Sequence, residues 1–111
     1  MRILKNSQIA IVDSTNTPLG VSGVFTSSVI PTQGYNFLVG TCIADQNGQF
    51  AVQFSMDNVN YDGNTETPYT ANDPLAFKIL LMAPYCRVSF TNGAIPQGIF
   101  RISWGLQTST V

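Results

Sequence analysis

Residues 35–62 read YNFLVGTCIADQNGQFAVQFSMDNVNYD. Two runs rich in β-branched and aromatic residues flank the polar group Asp45-Gln46-Asn47-Gly48. After that group, Phe50, Val52, Phe54 and Met56 alternate with Ala51, Gln53, Ser55 and Asp57. A period of two places the first row inward and the second outward on a half-buried strand. Asn-Gly tolerates the positive φ that a tight hairpin turn needs. The stretch therefore predicts an antiparallel hairpin between residues 35–44 and 48–56.

The same reading extends in both directions. Upstream, residues 7–12 predict a short strand and residues 13–20 a turn region. Residues 21–30 predict a strand pair or an edge strand, ended by Pro31. Downstream, residues 57–73 are the longest irregular stretch. Residues 75–82 form an apolar run that predicts a strand buried on both faces or lying under a loop. Pro84 breaks it, and residues 85–91 alternate again. Asn92-Gly93 is a second hairpin signal. Residues 99–106 form the last strand, with Phe100, Ile102 and Trp104 on one face. No segment carries helical periodicity. Frequent turn signals between short strands predict an all-β fold, a single antiparallel β-sandwich. A jelly roll is the expected connectivity, and a Greek-key immunoglobulin-like sandwich is the alternative. One domain over residues 1–111 is expected, with 1–7 and 107–111 as arms.

Composition narrows the function. The chain is 44% hydrophobic, 11% aromatic and only 10% charged, against about 25% charged in an ordinary soluble domain. Its surface must be built largely of amides, hydroxyls and glycine. That suits proteins held inside assemblies or outside cells. The five basic residues form no run and the net charge is −1. Nucleic-acid binding needs a basic face to displace counterions, so no nucleic-acid partner is expected. No apolar run approaches the length of a membrane span, so no membrane is expected. Asn6, Ser7 and Gln8 interrupt the N-terminal apolar residues, so no signal peptide is read there. Cys42 and Cys86 lie in strand-like segments, where a thiol packs as a small apolar group. Their pairing is open from sequence.

Chemistry is weakly signalled. The chain has no His, which removes the commonest general base and metal ligand. A Cys nucleophile would lack its partner base. The pattern Asn58-x-Asn60-x-Asp62-Gly63 resembles the start of a calcium loop, but Tyr69 stands where the bidentate Glu belongs. A hydrogen-bonded Asx-rich loop is expected instead. No enzyme activity, metal or cofactor is expected. Tyr61, Tyr69, Tyr85 and Trp104 could form a sugar-stacking platform, although Trp104 shares a face with core residues. Arg87 and Arg101 sit mid-strand, on polar faces read as those of neighbouring strands. They are either solvated or anchors under a partner. Arg87, Arg101, Tyr61 and Tyr69 are the interface candidates.

The ordered set of motifs resembles a family of small virion proteins of tailed phages. The set begins with Gly40-Thr41 and Asp45-Gln46-x-Gly48, followed by Gln53-x-Ser55-x-Asp57-x-x-Asn60-Tyr61-Asp62. It continues with Ala83-Pro84-Tyr85-Cys86-Arg87-Val88, Asn92-Gly93-Ala94, Gln97 and Phe100-Arg101. The likeness runs over about residues 35–103. Asn58 stands where the family has Gly and Tyr61 where it has Trp, so a different turn after Asp57 is an open expectation. The resemblance implies a β-sandwich in the virion and brings no catalytic residue. It implies a capsid decoration or cement protein, with the major capsid protein or another virion protein as partner. A homo-oligomer such as a trimer would supply retention on the shell. The alternative is a carbohydrate- or receptor-binding module of the phage tail.

Overall fold

A computed structural model describes residues 7–109 of the chain. The described residues form β1 (Ser7–Thr15), β2 (Val24–Thr26), β3 (Ile30–Pro31), β4 (Phe37–Ala44), β5 (Gly48–Ser55), β6 (Gly63–Tyr69), β7 (Leu75–Leu80), β8 (Tyr85–Asn92) and β9 (Phe100–Ser109). One sheet has the order β1-β9-β4-β7. The other has β2-β8-β5-β6, with the short β3 also on β8. Every pairing is antiparallel. β2 and β3 act as two pieces of one edge strand. The outermost strands then pair with each other, as β1–β9, and the next pair in is β2/β3–β8. β4–β7 and β5–β6 follow. The chain is one long hairpin, bent at β5–β6 and rolled so that successive pairs alternate between sheets. That is a jelly roll, the expected connectivity.

The decisive stretch is not a hairpin. β4 and β5 lie in opposite sheets and never pair. Neither Asn47 nor Gly48 takes a positive φ, so the turn is not the mirror-image type that closes a tight hairpin. Instead the chain crosses from sheet to sheet. Asn47 Oδ1 accepts from the Ala71 N–H at 2.8 Å, and its carbonyl accepts from Gly93 at 3.1 Å. Asp45 accepts from the Gly98 N–H at 3.0 Å. The turn residues thus tie together three crossings at one end of the sandwich. Asn92-Gly93 marks another of these crossings, because β8 and β9 also lie in opposite sheets.

The true hairpin is β5–β6, with Phe54 opposite Gly63. β6 fell within the stretch expected to be irregular. It is an edge strand on which Tyr69 is the buried residue, so the sequence carries little apolar signal there. β7 is likewise an edge strand with alternating half-buried and exposed residues, not a strand buried on both faces. β1 continues through Asp13–Thr15, past a bulge between Ala10 and Asp13, where a turn was expected. Ser7 pairs with Ser109 and Gln107 with Phe37, so these expected arm residues belong to the sheet. Thr108 likewise pairs with Gln8, and residues 1–6, 110 and 111 of the expected arms lie outside the described residues.

The inward rows agree with the alternation. Phe50, Val52, Phe54, Val88, Phe90, Phe100, Ile102 and Trp104 are all buried. Met56 is the exception, at 73% exposure beyond the end of β5. Phe90 packs across the sheets against Phe100 at 5.0 Å and within its own sheet against Tyr69 at 5.5 Å. Cys42 and Cys86 are buried free thiols, one in each sheet. Burial pushes Cys42 up to about 12 and Cys86 up to about 11. Both are unreactive protonated thiols at neutral pH.

Candidate binding surface

Two of the four interface candidates, Tyr61 and Arg87, meet near the end of the sandwich that carries the β5–β6 loop, residues 56–62, and the β7–β8 loop, residues 81–84. The first loop is organised by Ser55 and Asp57. Ser55 Oγ donates to Asp57 Oδ1 at 3.0 Å and accepts from the Asn58 N–H at 2.8 Å. Asp57 Oδ1 also accepts from the N–H groups of Val59 (2.9 Å) and Asn60 (2.8 Å). Its Oδ2 accepts from the Asn60 amide at 3.0 Å. The loop is the expected Asx-type structure. Asn58 takes φ 61°, the left-handed region that glycine favours and asparagine tolerates. Asn58 therefore supplies a glycine-like backbone at the place where the resembling family has Gly.

The backbone N–H of Asn60, then that of Val59, hold the Asp57 carboxyl well below the usual carboxylate range. A depressed folded value contributes loop stability that is complete above the unfolded value of about 4. That stability declines as pH falls below it and is gone once Asp57 itself protonates. The protection factors of the Val59 and Asn60 amides, measured against their intrinsic exchange rates, are therefore expected to hold down to about pH 4 and to fall below it. In Asp57→Asn that protection is expected to be reduced already at pH 7. Protection factors that do not change between pH 7 and pH 2 in the native chain would contradict this.

Tyr61 follows from that loop. Its hydroxyl donates to Asn58 Oδ1 at 2.8 Å. Its ring lies under the Arg87 guanidinium, with Cζ 4.0 Å from the ring centroid. Arg87 Nε donates to Gln53 Oε1 at 2.6 Å. Gln53 stands opposite both Arg87 and Asn64, and Asn64 donates to Glu66 at 2.7 Å. The structure thus brings Tyr61 and Arg87 together on the outer face of the β2-β8-β5-β6 sheet.

The other two candidates are elsewhere. β8 and β9 belong to different sheets, so Arg101 is on the opposite outer face from Arg87, not beside it. There it borders a depression of about 400 Å³ with Thr41, Ile43 and Ser103. Tyr69 is 5% exposed and points inward. Its hydroxyl accepts from the Ala44 N–H at 3.0 Å and donates to the Asp73 carbonyl at 2.6 Å, pinning one sheet to the other. Trp104 is also core, 5.7 Å from Phe25. The four-aromatic platform therefore does not form, and Tyr61 and Tyr85 are its two members on the surface.

Residues the sequence reading missed complete this end. A groove of about 360 Å³ is lined by Phe54, Met56, Asp62, Asn64 and Met82 among others. Met56, Val59 and Met82 are 73%, 77% and 62% exposed. Met56 was assigned inward by extending the β5 alternation past the strand end. The signal that could have corrected it is the Ser55-x-Asp57 loop start immediately around it.

Residues 2–107 match the family model described as the uncharacterised protein YqxG N-terminal domain. The chain belongs to this family. No curated protein matches this chain in sequence. Among solved structures it is similar to the PBSX exported protein XepA, with TM-score 0.76 and 18% identity over all of this chain. It covers 41% of that chain, so it spans about two fifths of XepA's length. It also resembles a protein from Bacillus endospore appendages, described as a novel family of disulfide-linked pili. That likeness has TM-score 0.52 and 9% identity, over 100% of this chain and 98% of the other. A CBM4 structure matches with TM-score 0.51 and 14% identity, over 94% of this chain and 78% of the other. At these identities the shared property is the fold.

Proposed function

We propose that this chain is a phage-associated, non-catalytic binding module that acts as a decoration component of a particle. Its partner in this reading is the major capsid protein or another virion protein, and its place is the virion. The observation that carries the reading is the exposed apolar end of the sandwich. Met56, Val59 and Met82 stand on two adjoining loops, each more than half exposed. Large exposed apolar side chains gathered beside a groove suit a protein interface. Methionine adapts to an irregular partner surface. The likeness to XepA over the full chain supports the phage context. The absence of His from the sequence and the deeply buried thiols support a role without catalysis. A homo-oligomer, such as a trimer on the shell, would multiply weak contacts into retention.

Purified particles provide the test. The chain is expected to co-purify with them, and shells lacking it are expected to rebind it and melt at higher temperature. Met56→Ser with Met82→Ser is expected to weaken rebinding while leaving the isolated domain folded. Absence of the chain from purified particles would sink the reading.

A second reading is glycan binding. Tyr61, Tyr85, Arg87 and the amides of Gln53 and Asn64 favour it, because they sit together on an outer sheet face. The CBM4 likeness offers the same fold in support.

A further inference from the structure

We infer that the outer face of the β2-β8-β5-β6 sheet holds a site for an anionic saccharide, centred on the Arg87 guanidinium. The inference deepens the glycan-binding reading and rests on it.

Arg87 is fixed before any ligand arrives. Tyr61 stacks on it at 4.0 Å and Gln53 takes its Nε–H at 2.6 Å. The side chain is half-buried, so much of its rotamer freedom is already lost. Among the described residues, only Nε is spent. Among the described residues, the terminal nitrogens of Arg87 have no acceptor and no acidic partner. A planar fork held in place with its outer donors free matches a carboxylate or phosphate in bidentate geometry.

The acidic groups of the β5–β6 loop and of β6 have partners or places of their own. Asp57 turns both carboxylate oxygens onto donors of its own loop. Glu66 accepts from Asn64 at 2.7 Å. Asp62 lines the groove at the sandwich end.

The surroundings favour a saccharide over a protein. A protein hot spot needs large apolar anchors around its charge. Here one exposed apolar residue, Val24, stands at the β2 edge opposite Thr91, four positions along β8 from Arg87, while the groups paired around Arg87 are Gln53 and Asn64, with Gln49 and Thr91 further along the strands. Amides and hydroxyls of that kind match sugar hydroxyls. Tyr85, two residues before Arg87 on the same face of β8, adds a half-buried aromatic ring beside the fork. A carboxylate sugar and a sugar phosphate share the chemistry that Arg87 recognises.

The test is an array of uronate-bearing, sialate-bearing and glycerol-phosphate-bearing glycans beside neutral counterparts, probed with the full chain. Calorimetry on the best hit and on its charge-neutral methyl ester follows. Binding is expected to anionic members only, to weaken with added salt, and to be lost on esterification. Which anionic class binds separates the carboxylate from the phosphate source. Arg87→Lys keeps the charge but loses the fork, and is expected to lower affinity at least about tenfold with an unchanged melting temperature. Equal binding to neutral and anionic members, or full affinity in Arg87→Lys, would overturn the Arg87 site while leaving glycan binding intact. No binding to any member would overturn both.

Discussion

Gly40→Ala is expected to destabilise the domain by about 3 kcal/mol, the upper end of the overpacking range. Gly40 lies mid-strand in β4, between Phe77 of β7 and Trp104 of β9. A methyl group there would run into the Ser103 carbonyl of β9 and into the Phe77 ring. The ring can turn aside, but the carbonyl is backbone of the neighbouring strand and cannot move without breaking the ladder. Urea unfolding should therefore show a midpoint lowered by roughly 1–3 M. Adding Phe77→Ala is not expected to rescue it, because the carbonyl remains. Gly20→Ala is the control, since a methyl there meets nothing within 4 Å. A native midpoint in Gly40→Ala would mean that β4 and β9 do not approach as closely as the structure shows.

Asn92→Asp is expected to cost more, about 3 to 5 kcal/mol at pH 7. Asn92 is 3% exposed at the end of β8. Its amide nitrogen donates to the carbonyls of Leu19 (3.3 Å), Gly20 (2.8 Å) and Ile95 (2.8 Å). One side chain thereby joins the β1–β2 and β8–β9 crossings. Aspartate has the same shape but turns the donor into a charged acceptor facing three carbonyl oxygens. Burial and those oxygens would raise its folded pKa above the unfolded value of about 4. A raised value makes the penalty smallest below that pH, and it grows as pH rises through the folded value. Thermal melting should fall by roughly 10–25 °C at pH 7 and by clearly less at pH 4. A pH-independent loss would show that the carbonyl cluster is not what Asn92 serves.

Both predictions rest on features that local sequence does not announce. Gly40 sits in an ordinary apolar run, and nothing around it names Ser103 as its neighbour. Asn92-Gly93 carries the same signal as a hairpin turn, yet Asn92 is a buried clasp between crossings. The interface candidates divide in the same way. Tyr61 and Arg87 were legible as polar-surface aromatic and cation, and β5 and its loop bring them together. Tyr69 has an equally polar context in sequence, but it points inward because it ends an edge strand opposite Gly48. The exposure of Met56 depends on β5 ending at Ser55, where Ser55 and Asp57 start hydrogen-bonding the loop.

The all-β class and the inward rows of β5, β8 and β9 are legible in the residue order alone. They are so because a period of two is a property of one strand, whatever that strand pairs with. So are the absence of His and the low charge, which shape the surface chemistry. Which strands are neighbours is set by the packing of the two sheets. Backbone donors and acceptors are alike in every strand, so alternation specifies a face but no partner. The polar turn at residues 45–48 would serve a hairpin or a crossing equally well. Burying two apolar sheet faces against each other selected the crossing, and with it the jelly roll that places Arg87 and Arg101 on opposite sides of the molecule.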